Sequence, residues 1–294
     1  MKVIYYEDFN VFAIKEGICA ALGNFDGVHL GHQKLIEETK KHGYKSAVIT
    51  FFPHPFFYLK NIRRYSLLSP IEEKIDLISC FEIDYLIIIG FNEKTAIKSK
   101  EEFMAMLKQL NVKMVVVGED YHFAKHASGN AYDLAHNFNT KIISKVEIDN
   151  IRISSTYIKE LLSDGNIVYA NKLLNRPYEI VGRVIHGNKL GRTIGYPTAN
   201  IDYGYHYLPK IGVYKGLVQY KNKEYKAMIN IGNNPTFNYV EDIRMEVNII
   251  GFNGNIYGET LKVSFLDFIR GEKKFNSKDE LIAQLQLDAF ISQN

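Results

Sequence analysis

Cysteine is scarce in this chain. Cys19 and Cys80 are the only two among 294 residues, and Cys19 lies inside an apolar run. Two thiols cannot build the disulfide framework on which small secreted folds depend. No apolar run approaches the roughly 18 residues that a membrane-spanning helix needs, and the opening residues mix charge with aromatics instead of carrying a signal peptide's apolar heart. A cytoplasmic protein without a membrane partner is therefore expected. Charge of one sign is also missing. The 36 Lys and Arg nearly cancel 33 Asp and Glu, leaving a formal +3, too little for a nucleic-acid partner but compatible with small anions held locally. There is no internal repeat and no low-complexity tract. Oligomeric state is not legible from the sequence.

What is present suits two domains of ordinary size, with 46% hydrophobic residues. In the first half, residues 18–22 form a short apolar run, and residues 46–51, 85–89, 113–117 and 141–144 are apolar runs rich in β-branched side chains. Residues 33–41, 71–80 and 100–110 carry helical spacing between them. That alternation predicts a doubly wound parallel sheet. Further helices are expected over 156–162 and 167–174, with Ser154 or Ser155 as a cap and Pro70 ahead of the 71–80 helix. After Pro177 the texture changes to short alternating segments, 179–184, 212–220, 225–231, 244–250 and 260–266, separated by Asn- and Gly-bearing turns. A small antiparallel β-barrel is predicted, followed by an amphipathic terminal helix over 278–291. The fold class is thus α/β plus β, with domains at 1–177 and 178–294.

Chemistry concentrates first in Gly23-Asn24-Phe25-Asp26-Gly27-Val28-His29-Leu30-Gly31-His32, which follows a strand and leads into a helix. That order puts a phosphate at a helix N-terminus, where His29 and His32 face the same oxygens. The run resembles the HxGH signature of nucleotidyltransferases. A zinc pair is the rival reading, but no further Cys or His nearby completes a ligand set. Two plain surface histidines are the other. Thr50-Phe51-Phe52-Pro53-His54-Pro55 and Val117-Gly118-Glu119-Asp120-Tyr121-His122-Phe123 end two more strands, and Ser155, Thr156 and Lys159 sit at a helix start. Alone, each of these reads as a rigid loop, core aromatics or an ordinary cap.

The second half carries Gly191-Arg192-Thr193-Ile194-Gly195-Tyr196-Pro197-Thr198-Ala199-Asn200. Gly191 and Gly195 let backbone amides approach phosphate, and Thr198 and Asn200 offer oxygen ligands to Mg²⁺. The segment has no Walker lysine and leads into barrel strands, so an ordinary P-loop is excluded. Glu246 on a strand is the candidate general base. By itself it would read as a solvated surface glutamate.

Together these segments resemble the bifunctional riboflavin kinase/FMN adenylyltransferases over essentially the whole chain. The resemblance implies two reactions, riboflavin to FMN and FMN to FAD, with ATP as co-substrate and Mg²⁺ as cofactor. It places His29 and His32 at the ATP phosphates, with Gly23, Asn24, Phe25, Asp26 and Gly31 shaping that loop. Ser155, Thr156 and Lys159 fall in a second nucleotide signature, and Pro53, His54, Pro55, Asp120 and Phe123 beside the flavin. In the barrel, Gly191, Gly195 and Pro197 belong to the nucleotide loop, Thr198 and Asn200 to the metal, Glu246 to catalysis and Arg270 to a flavin-covering flap. The chain departs from the pattern at Lys159 and His122, where Arg is usual, at Ala124 for Gly, at Asn234 for Arg and at Asn248 for His. Those last two leave open an adenylyltransferase whose barrel only binds flavin. A non-catalytic flavin or nucleotide sensor is the third reading.

Overall fold

Runs in which every residue is apolar need cover on both faces, and parallel strands joined by helices provide it. In the computed structural model, which describes residues 1–6, 14–59, 66–187, 195–233 and 243–294, these runs form one six-stranded parallel sheet. Its strands are β1 (Lys2–Tyr6), β2 (Ile18–Leu22), β3 (Lys45–Phe52), β4 (Tyr85–Gly90), β5 (Val112–Gly118) and β8 (Asn139–Ile143), ordered β1-β4-β3-β2-β5-β8. Between them lie two two-residue hairpin pairs, β6 (His122–Phe123) with β7 (Gly129–Asn130) before β8, and β9 (Glu147–Ile148) with β10 (Ile151–Arg152) after it.

Alternation within each strand sorts the buried side chains between two cores. Ala20, Leu22, Ile49, Ile87 and Val115 pack on one face with Phe103 and Leu107 of α5 (Lys100–Gln109) and Leu134 of α6 (Ala131–Ala135). Cys19, Ala21, Val48, Leu86 and Val116 pack on the other with Ile36 of α1 (Leu30–Thr39) and Ile78 of α3 (Ile71–Ser79). Each fully buried Leu or Ile adds roughly 1.5–3 kcal/mol. Two short helices, α2 (Pro55–Leu59) and α4 (Glu93–Ala96), complete the loops after β3 and β4. The sheet is doubly wound, as expected. The chain leaves β2 for β3 on one side and β5 for β8 on the other. The neighbours β2 and β5 therefore flank the switch point, where α/β sheets bind ligands at the strands' carboxyl ends.

Both cysteines are free. Cys19 is fully buried on β2, where burial first and then the Glu38 charge push its thiol up to about 12, whereas Cys80 is exposed after α3.

Contacts divide the chain into Met1–Ser155 and Thr156–Asn294. The second unit is a closed barrel of β11 (Tyr178–Ile185), β12 (Ala199–Asp202), β13 (Gly212–Tyr220), β14 (Lys223–Asn233), β15 (Ile243–Ile249) and β16 (Thr260–Arg270), ordered β11-β12-β15-β14-β13-β16. Alternating residues such as Ile180, Tyr214, Ile229, Val247 and Val263 fill it, each fully buried. The helix α8 (Ile167–Leu174), preceded by α7 (Ser155–Asp164), packs on β11 and β16. Asn171 clamps both strands: its Nδ2 donates to the Phe265 carbonyl at 2.8 Å and its Oδ1 accepts from the Tyr178 N–H at 2.7 Å.

Three expectations need correction. The first helix starts at Leu30, three residues earlier than the spacing suggests, because His29 supplies its N-cap. β1 and β12 are strands that the pattern did not reveal. The terminal helix α9 (Lys278–Gln293) is not amphipathic in the expected sense. Asp288 and Ser292 are its buried residues, while Leu287, Phe290 and Ile291 are exposed. The Arg270 guanidinium draws Asp288 inward through Nε, at 3.1 and 3.0 Å from its two oxygens, and through Nη2 at 2.7 Å.

Candidate active sites

The first site is built from the turn after β2. Phe25 and Val28 take positive φ (50° and 42°), a conformation that costs an ordinary L residue energy. Burial of both side chains, at 0% and 1% exposure, holds them there. The Asp26 carboxylate accepts the Leu68 and Ser69 N–H groups at 2.8 and 3.1 Å, and the Ser69 hydroxyl accepts the Gly27 N–H at 2.8 Å. The Ser155 hydroxyl donates to the Asp26 carbonyl at 2.8 Å. The Asn24 carbonyl receives the Thr50 hydroxyl at 3.2 Å and the Lys74 ammonium at 2.7 Å. Lys74 is buried, and desolvation lowers its pKa to about 8 although the Asp26 charge opposes the shift.

This clamped turn presents two imidazoles at the start of α1. His29 Nδ1 accepts the His32 N–H at 3.4 Å, and the rings stack with centroids 3.6 Å apart and planes 17° from parallel. A neutral His29 with Nδ1 so engaged carries its proton on Nε2. Gly31 leaves the His29 ring its room: a Cβ there would stand 3.1 Å from it, a tight contact to which the ring would have to yield. Burial, then the charges of His29 and Lys74, hold the His32 pKa well below its usual value, and its Nδ1 is buried with no hydrogen-bond partner among the described residues. His32 is therefore neutral at pH 7, a donor or acceptor and not a fixed charge. Helix-start amides and their dipole add attraction for anions.

The remaining expected residues of this half are placed as follows. Gly23 joins β2 to the turn, and its N–H donates to the Ile49 carbonyl at 3.2 Å. Pro53 is exposed after β3, Pro55 opens α2, and buried His54 accepts the Phe56 N–H through Nδ1 at 3.3 Å. Asp120 pairs with Arg152. The Phe123 ring sits in the core, 4.9 Å from Phe103 and 6.1 Å from Tyr121. Ala124, where the resemblance expects glycine, takes φ 66°. Thr156 is exposed, and the Lys159 ammonium lies 5.7 Å from the Tyr207 ring centre.

The second site occupies the outer surface of the barrel. On β15, Met245, Val247 and Ile249 alternate with Glu246 and Asn248; the fully buried Val247 fills the barrel, so the latter two leave by the outer face. Register sets Asn200 of β12 opposite Glu246 on one side and Asn230 of β14 opposite it on the other. The Thr198 hydroxyl donates to Glu246 Oε2 at 3.5 Å, and Asn248 Nδ2 donates to the Pro197 carbonyl at 2.8 Å. Gly195 takes φ 85° in the turn before them. Gly187 gives Asn200 its room, since a Cβ there would fall 2.1 Å from its amide nitrogen. A hydroxyl, an amide oxygen and a carboxylate form a hard-oxygen set that fits Mg²⁺. Gly191 and Asn234 lie outside the described residues. Arg270, besides holding Asp288, donates through Nη1 to the Gly271 carbonyl at 3.0 Å and lies 5.8 Å from the Phe275 ring centre.

Sequence reasoning missed Lys74, Ser69, Asn230 and Asp288. Lys74 shares one face of its helix with Ile71 and Ile78, but a lysine there reads as a side chain that carries its charge out to solvent, and Asn230 joins Glu246 only through strand register.

Residues 174–294 match the riboflavin kinase family and residues 12–157 the FAD synthetase family. A bifunctional riboflavin kinase/FMN adenylyltransferase of Listeria monocytogenes is 40% identical, over 91% of this chain and 89% of its own. The protein of that name in Bacillus subtilis is 38% identical, over 91% and 89%. A solved Streptococcus pneumoniae structure, described as a macrolide-efflux protein, superposes with a TM-score of 0.89 at 35% identity, covering 100% of this chain and 99% of that one. Among the described residues no helix is long and apolar enough to cross a membrane.

Proposed function

We propose how two sites divide the work in a chain that belongs to the bifunctional riboflavin kinase/FMN adenylyltransferase family. The chain phosphorylates riboflavin to FMN with ATP and adenylylates FMN to FAD with release of pyrophosphate. One observation carries the reading: both chemical clusters stand in a single chain that its relatives match over nine-tenths of its length.

In the first unit the stacked His29–His32 pair and the α1 amides bind the ATP phosphates. An FMN phosphate oxygen attacks the α-phosphorus in line and pyrophosphate departs, with no covalent enzyme intermediate. The residues' contribution is orientation and charge stabilisation. Gly23, Asn24, Phe25, Asp26 and Gly31 hold the turn that places the pair. The resemblance assigns Ser155, Thr156 and Lys159 to nucleotide, and Pro53, His54, Pro55, Asp120 and Phe123 to the flavin side.

On the barrel, Glu246 takes the proton of riboflavin's terminal ribityl hydroxyl as that oxygen attacks the γ-phosphorus and ADP leaves. Thr198 and Asn200 would hold Mg²⁺. Bound there, it would supply positive charge to offset that of the phosphate oxygens. Gly191, Gly195 and Pro197 belong to the loop that carries the nucleotide, and Arg270 keeps the flap segment after β16 anchored. Both reactions consume ATP, and on that ground we place the protein in the cytoplasm, with riboflavin, FMN, FAD and ATP as its small-molecule partners.

Incubation of the purified protein with ATP and Mg²⁺, once with riboflavin and once with FMN, followed by chromatography, tests the reading. FAD is expected from both. Glu246→Gln should cut riboflavin phosphorylation by about 10²–10⁴-fold and leave adenylylation of FMN intact. FAD from FMN alone in the unaltered protein would remove the kinase assignment.

A further inference from the structure

We propose that Asn248 is a positioning residue for phosphorylation: its amide holds the Pro197 carbonyl, and that hold aims Thr198 at Glu246. The inference rests on the assignment of the kinase reaction to this face of the barrel.

Asn248 follows Glu246 by two residues on β15, so both side chains leave the same face. Register puts Met228 of β14 opposite it, while Asn200 of β12 opposes Glu246. Only 7% of Asn248 is exposed, so its amide must find protein partners. Nδ2 finds the Pro197 carbonyl at 2.8 Å. The β12–β15 ladder begins at Ala199, paired with Val247, and Pro197 and Thr198 stand outside it. The Asn248 amide thus reaches past the end of the ladder with a bond shorter than the Thr198–Glu246 contact beside it.

Residues 197–200 are consequently held at both ends, besides the ladder pairs of Ala199 and Asn200. At one end is the Pro197 carbonyl, fixed from β15. At the other is the Asn200 side chain, boxed against the bare backbone of Gly187. Thr198 lies between them, with its hydroxyl 3.5 Å from Glu246. That separation is already longer than the roughly 2.5–3.0 Å of an ordinary O–H···O bond, so a small displacement of Pro197 breaks it while the Ala199–Val247 pair persists. The work asked of Asn248 is donation of one N–H, which needs no cation. Its neutral side chain, standing where the resemblance expects histidine, is therefore compatible with an active kinase.

The test compares Asn248→Ala and the isosteric Asn248→Asp with the unaltered full chain by two measurements. One is riboflavin phosphorylation as a function of Mg²⁺, with FMN adenylylation by the same preparation as a control. The other is hydrogen exchange of the peptide covering residues 196–201, read without substrates. We expect faster exchange in both variants, phosphorylation lowered by about tenfold in Asn248→Ala, a larger loss in Asn248→Asp, more Mg²⁺ needed for half-maximal rate, and unchanged adenylylation. Unaltered exchange overturns the proposal whatever the rates do. Faster exchange with unaltered phosphorylation and Mg²⁺ response overturns it as well. Failure of the unaltered chain to phosphorylate riboflavin would refute the kinase reading instead, and the exchange measurement would still decide whether Asn248 holds the turn.

Discussion

Lys74 has its ammonium in a place where water does not reach, with the Asn24 carbonyl at 2.7 Å as the oxygen it serves. It binds its proton less tightly folded, near 8, than at its ordinary 10.5. Between those values the unfolded chain holds more protons than the folded one, so this lysine makes stability rise with pH across the window. Its penalty is fully present below about 8. Removing the amine in Lys74→Met removes that slope. The melting temperature of the unaltered protein minus that of the variant should grow from pH 8 to 10.5, and a difference flat in pH would refute the buried charge. The histidines beside this lysine were legible in the sequence because their spacing and the preceding strand are local. Lys74 was not, since its burial depends on α3 folding back over a turn that ends more than forty positions earlier.

At the scale of elements, the strands of the sheet announce themselves by continuous β-branched runs, and the barrel strands by alternation. β1 did not, because its five residues, Lys-Val-Ile-Tyr-Tyr, are too few and too mixed to show either signal. β12 is too short to show a period. The terminal helix misled for a different reason: periodicity assumes that apolar side chains choose the buried face, whereas here an ion pair chooses it. Asp288 is fully buried, meets Arg270 at 2.7 Å and also accepts Gln284 Nε2 at 2.9 Å. Breaking such a pair leaves a charge without compensation. Asp288→Ala should therefore cost about 3 kcal/mol in denaturant unfolding, and Asp288→Asn, which keeps the shape, less. A cost near zero would mean that α9 is held by its other contacts alone.

For the whole molecule, the informative feature is where the second unit begins. Texture in the sequence changes after Pro177, but α8 contributes Ile167, Ala170, Leu173 and Leu174, all nearly fully buried, and Asn171 bonds two barrel strands. The Leu162 carbonyl of α7 accepts the Lys210 N–H at 2.9 Å. A fragment of residues 156–294 should melt cooperatively and phosphorylate riboflavin, whereas residues 178–294 alone should melt at lower temperature. Equal melting by circular dichroism would show that the two helices are dispensable. The two sulfurs, finally, differ in a way that can be exploited at the bench. With Cys19 sealed in the sheet and its thiolate suppressed, and Cys80 open to solvent, an alkylating reagent has one addressable target in the folded chain. A second adduct marks loss of the sheet, so mass alone counts how many molecules in a sample remain intact.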